Sequence, residues 1–125
     1  MIIYHIALQS DWHAAKVLGE YRISTRGRTL EDEGFIHASY PDQVAGVAKA
    51  FYRGVGQPLV LLSVETSLLD SDVIAENTGG GIELFPHVYG PIAASAVVSA
   101  DPLELEPDGT IRSGPDLTRA GTLES

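Results

Sequence analysis

The chain contains no cysteine, which excludes a disulfide framework, a thiol nucleophile and any cysteine-ligated metal. It is also poor in cations: 8 lysines and arginines stand against 17 acidic residues, a formal charge of −9. A surface of that sign repels a phosphate backbone, so bulk nucleic-acid binding is not expected. No apolar run approaches the roughly 20 residues that cross a bilayer, so no membrane span is expected either. The opening stretch MIIYHIAL lacks a basic flank and a small-residue cleavage site. It therefore reads as a first strand rather than a signal peptide. The reducing cytoplasm is the default compartment.

What remains is ordinary globular material, 44% hydrophobic and 20% charged over 125 residues, enough for one domain. After the first strand, Ser10 or Asp11 is placed to cap a helix over 11–18 that ends at Gly19, with Trp12, Ala15 and Leu18 inward and His13 in solvent. Residues 21–34 read as a long loop with one turn at 30–33. A strand over 35–38 follows, then a helix capped by Ser39 or Asp42 with Pro41 in its first turn. Val44, Val47, Ala48 and Phe51 recur in it at helical spacing and are expected in the core. Residues 58–65 (PLVLLSVE) are a continuous apolar run suited to a central strand. Shorter strands are expected at 73–76, at 84–92 (bent by Pro86, Gly90 and Pro91) and within 94–105. Helices early and strands late predict an α+β domain, with two N-terminal helices packed on a split, mostly antiparallel sheet. The domain is expected to span 1–106, and 107–125 to form a poorly ordered tail.

Three of the four histidines lie in strand-like runs. Because strand side chains alternate between faces, His5 shares a face with Ile3 and Ala7, and His37 with Phe35 and Ser39. His87 shares one with Tyr89. Brought together, these runs would line a pocket with imidazoles, hydroxyls and an aromatic ring. Glu76, at the end of a predicted strand, and Glu83 are the carboxylates within reach of it. Arg22, Arg26 and Arg28 cluster in YRISTRGRTL, either as solvated loop charges or as a small anion site. The Asn-Thr-Gly-Gly-Gly run at 77–81 lacks the lysine and hydroxyl of a phosphate-binding loop and reads as a mobile loop beside the pocket.

YHIA near the start, GFIHAS thirty residues on and FPHVYGPI after a glutamate together resemble the bacterial family called domain of unknown function 952. The resemblance covers about 2–105. It implies a fold similar to that of ADP-ribosyltransferases and a pocket for NAD or a related nucleotide as small-molecule partner. By analogy with the RNA 2′-phosphotransferases and poly(ADP-ribose) polymerases, His5 would contact a ribose, and His37 and Ser39 would lie on the nicotinamide side. Tyr89 or His87 occupies the region where many transferases carry a glutamate, and Glu76 is the nearest matching carboxylate. The resemblance thus implies Glu76 and His37 as catalytic residues and His5, Ser39, His87 and Tyr89 as substrate-binding ones. Glu76 would stabilise the oxocarbenium-like transition state of nicotinamide–ribose cleavage.

Other readings of the same residues stay open. The pocket can be a non-catalytic nucleotide or small-molecule binding module. His5, His37 and His87 with Glu76 can make a metal site, although none of the spacings is that of a helical ligand pair. A two-histidine phosphoesterase needs paired His-x-Ser/Thr motifs, and only residues 37–39 fit.

Overall fold

The computed structural model describes residues 1–117. In chain order its elements are β1 (Ile2–Leu8), α1 (Gln9–Leu18), β2 (Glu20–Tyr21), β3 (Ile23–Thr25), β4 (Arg28–Thr29), α2 (Leu30–Glu33) and β5 (Ile36–His37). They continue with α3 (Val44–Phe51), β6 (Leu59–Glu65), β7 (Asp72–Glu76), β8 (Phe85–Tyr89), β9 (Ile92–Ala93), β10 (Val97–Leu105) and β11 (Ile111–Ser113). The architecture is α+β, with antiparallel pairing between all these strand partners.

β6 is the apolar run of the sequence, and it sits between β1 and β10 in a four-stranded sheet of order β1-β6-β10-β11. Covered on both faces, it divides the interior into two cores. Leu59 and Leu61 join Tyr4, Ile6, Val44, Ala48, Tyr52 and Leu103 on the α3 side. Val60, Leu62 and Val64 join Ile3, Ala7, Trp12, Ala15, Ile36 and Val88 on the other. Each fully buried leucine or valine contributes on the order of 1.5–3 kcal/mol, and a strand with apolar residues on both faces can serve both sides.

The second core is closed by α1 and by a three-stranded sheet of order β5-β8-β7. Ile36, Ala38 and Val88 point into that core. By strand alternation, Phe35, His37, Phe85, His87 and Tyr89 therefore point away from it. The two sheets meet where Tyr4 and Ser39 exchange both backbone hydrogen bonds, at 2.9 and 2.7 Å.

Several expectations change. α1 starts at Gln9 with no side-chain cap. Its last turn projects Leu18, 75% exposed, into solvent, because Gly19 in the left-handed region ends the helix there. Tyr21 enters the core instead. Residues 21–34 are not a plain loop: β3 and β4 form a hairpin, and the turn at 30–33 is a one-turn helix. It begins with a Thr29–Asp32 capping box and stops at Gly34, φ 87°. The second long helix follows a 3-10 turn at Pro41–Gln43 in which the Gln43 side chain accepts from the Tyr40 amide. Neither Ser39 nor Asp42 caps it. Phe51 is 49% exposed rather than core.

Of the expected tail, residues 111–113 are β11, paired with β10; residues 118–125 lie outside the described part. The β10–β11 turn is seated on α3. A Cβ at Gly109 would fall 2.9 Å from the Lys49 Cα and 3.1 Å from the Arg53 Cβ, and its φ of +93° disfavours any side chain. Gly109→Ala is expected to lower stability by roughly 1–3 kcal/mol, read as a shift of the urea midpoint at unchanged slope. An unshifted midpoint would show that this turn does not belong to the cooperative unit.

Candidate functional site

β5 and β8 pair so that His37 stands directly opposite His87, and Ile36 opposite Val88. The two imidazoles lie edge to face, with centroids 4.6 Å apart. Phe35 stacks on His87 at 4.1 Å and 14°, which is why a histidine on the outward face is only 1% exposed. β7 supplies Glu76, whose Oε2 lies 3.0 Å from His87 Nδ1. The same oxygen accepts from the Tyr89 hydroxyl. A carboxylate accepts only, so neutral His87 carries its proton on Nδ1 and leaves Nε2 as an acceptor. Nε2 is buried without a partner among the described residues. The donors from Tyr89 and His87 hold the Glu76 carboxyl below its ordinary range.

A cavity of about 250 Å3 opens on this face, lined by His37, His87, Phe51, Phe85 and Val47 and by residues 77–79 of the glycine loop. Asn77 Oδ1 accepts from the Gly79 and Gly81 amides at 2.8 and 3.0 Å and so holds that loop in shape. Among the described residues no lysine or arginine lines the cavity.

His5 has a different part. Its Nδ1 donates to the His37 carbonyl at 2.5 Å, and its Nε2 accepts from the Tyr21 hydroxyl at 2.9 Å. Burial pushes the Tyr21 pKa up, so that hydroxyl stays a donor. Both His5 nitrogens are thus occupied and none is left for a ribose or a metal; the residue positions β5. Ser39 is buried and pinned to β1, and its side chain borders a smaller chamber with His5, Ser24 and His37.

The arginine cluster is not an anion site. Arg22 pairs with Glu20 at 2.7 Å and with Glu31, and Arg28 pairs with Glu33 at 2.8 Å. Arg26 donates to the Phe51 and Arg53 carbonyls at the end of α3. Among the described residues no group of three or more histidines and carboxylates is placed to hold a metal ion. With His5 occupied, the four-ligand metal reading loses a member.

Residues 6–100 match the family model described as Protein of unknown function (DUF952). The chain belongs to the DUF952 family. Solved structures similar to this DUF952 chain include protein CC0527 from Caulobacter crescentus. Its crystal structure is 36% identical, covers 90% of this chain and 94% of that one, and has a TM-score of 0.75. Its solution structure is 36% identical, covers 89% and 91%, and has a TM-score of 0.71. No curated protein matches the chain. The family description assigns no activity, so the chemistry rests on the site itself.

Phe35, Phe51, Tyr21 and Ser24 were not among the site residues expected from the sequence. Phe35 was legible through its shared face with His37. Phe51 was hidden by its helical spacing, and Tyr21 and Ser24 by a segment that looks like loop.

Burial lowers the pKa of His5 to about 4 and also lowers that of His37. A depressed histidine is neutral in the fold and protonates more readily in the unfolded chain. Stability from His5 is therefore complete above about pH 6.5 and falls as pH drops toward 4, by about 3 kcal/mol at most. Wild type is expected to lose that stability in urea titrations between pH 7 and 4, and His5→Gln to show a shallower pH slope. Equal slopes would mean that His5 is not buried neutral.

Proposed function

We propose that this DUF952 chain binds the flat ring of a small heteroaromatic ligand in the His37–His87 cavity. The ring presents an N–H or O–H group to His87 Nε2. The observation that carries this reading is that nitrogen itself: buried, unpartnered, and fixed as an acceptor by Glu76 on the other side of the ring. An unpaired buried acceptor costs on the order of 1–3 kcal/mol, and a ligand donor removes that cost. Phe51 and Phe85 supply apolar and π surface in the cavity, and Phe35 stacks on the His87 ring behind it. At about 250 Å3 the space suits one ring rather than a whole dinucleotide, given pockets of roughly 300–1,000 Å3 for drug-sized ligands. The charge of −9, the ionised Glu76 and the paired arginines favour a neutral or cationic ring over an anionic one.

The resemblance to ADP-ribosyltransferases offers the nicotinamide end of NAD as the first such ring to test. Its amide is a donor and its ring a flat cation. Cleavage of the nicotinamide–ribose bond is the second reading. It is favoured by the ionised Glu76, one residue before Asn77 at the cavity wall, since a carboxylate there would stabilise positive charge on a ribose carbon. His87, free to take a proton on Nε2, would serve as the acid–base group.

Calorimetric titration of nicotinamide and NAD into wild type and His87→Gln, with nicotinamide release followed in parallel, tests both. Binding to wild type weakened at least about tenfold in the variant, or about 1.4 kcal/mol, is the expected result. ADP-ribose is expected not to compete. Silence of wild type toward both ligands would remove nicotinamide and NAD, and release without binding loss in the variant would move the chemistry away from His87.

A further inference from the structure

A second, smaller chamber shares His37, Val47 and Phe51 with the ligand cavity. Its volume of about 20 Å3 accommodates one water molecule, which needs at least about 10–15 Å3 on this measure. Ser24 of β3 borders it. That residue is wholly buried, and its Oγ has no hydrogen-bond partner among the described residues. Ser39, nearly as buried, and the ring of His37 border the same space. His5 is there too, but both of its nitrogens are already engaged. The chamber thus meets the two conditions for a bound water: it has the room, and it has two to four polar groups that lack other partners. A buried hydroxyl left alone is costly, and a water that joins it to a second polar group offsets this cost.

We propose that Ser24, Ser39 and one edge of His37 bind a single water molecule. This water decides which ring nitrogen of His37 carries the proton, and hence whether His37 offers the ligand cavity a donor or an acceptor. The two ring nitrogens of a neutral histidine cannot both be donors, so fixing one fixes the other. His87 is already fixed this way by Glu76. The water gives His37 the equivalent partner on the β3 side. The assignment holds whatever ligand occupies the larger cavity.

The test uses the full chain labelled with 15N, in two-bond proton–nitrogen spectra at pH 8. The His37 signals are identified by their loss in His37→Gln. Wild type is expected to show His37 as one tautomer. Ser24→Ala is expected to shift its nitrogens toward the averaged values of a mixture and to lower the melting temperature. The His5 signals, fixed by the His37 carbonyl and Tyr21, are expected to stay in place. Unchanged His37 shifts in Ser24→Ala would overturn the proposal. So would a raised melting temperature, which is what removal of a truly unpaired hydroxyl produces. If the variant does not fold, a high-resolution crystal structure of wild type decides. Density for one water within hydrogen-bond distance of Ser24 Oγ and the His37 ring supports the site, and an empty chamber refutes it.

Discussion

The hydrogen bond from the His5 ring to the His37 carbonyl holds together the parts of the molecule on which the site depends. β1 is paired with β6 along its whole length, but it meets the β5-β8-β7 sheet only at the Tyr4–Ser39 bridge. A single bridge leaves a strand as short as β5 free to pivot. The His5 ring spans the gap two residues further along and ties it a second time. Because a carbonyl cannot donate, the bond also dictates the His5 tautomer, and Tyr21 closes the other nitrogen. Burial is the main reason the group resists charge, opposed in part by the bond to the His37 carbonyl, which favours a protonated ring.

With β5 fixed, parity does the rest. Ile36 and Ala38 enter the core, so His37 faces outward, and antiparallel register sets it against His87. Glu76 reaches His87 diagonally from β7, where its direct partner is Phe85. Two imidazoles side by side disfavour each other's charge, and the His37 pKa is lowered first by burial and then by His87. The site therefore offers directional ring nitrogens among phenylalanines rather than lysines or arginines. That separates it from phosphate-binding sites, in which arginines or helix N-termini supply positive charge.

Much of this was legible in the sequence, for reasons that particular residues make plain. Residues 58–65 declare a central strand because Leu59 to Leu62 form an unbroken apolar run that Val64 continues past Ser63. The strict alternation of 2–8 places His5 with Ile3 and Ala7, as the cores confirm. The shared face of Phe35 and His37 and that of His87 and Tyr89 follow from the same rule. Periodicity fails where an element ends. Leu18 and Phe51 have the right spacing for burial, yet each lies in the last turn of its helix, where no element packs over it. Composition fails at 21–34 and 111–113, whose polar strands are held by tertiary pairing rather than by propensity. What His5 does was not legible at all. A histidine on a core face reads the same whether it meets a ligand or a carbonyl from a strand 32 residues away.

Two buried side-chain polar atoms lack a partner among the described residues, Ser24 Oγ and His87 Nε2. They come from elements far apart in sequence, β3 and β8, and both border spaces of which His37 is a shared wall. A fold that pairs Gln43 with Glu83 and Leu84, and Ser71 with Pro91, has no general difficulty satisfying its buried groups. Unsatisfied atoms confined to one place mark where something other than the chain completes the hydrogen bonding. The two lie on different spaces, of about 20 Å3 and about 250 Å3, so on the proposed reading a water completes one and a ring-sized ligand the other. Among the described residues His37 is the one histidine that lines both, so on that reading its tautomer is the point at which one occupant affects the binding of the other.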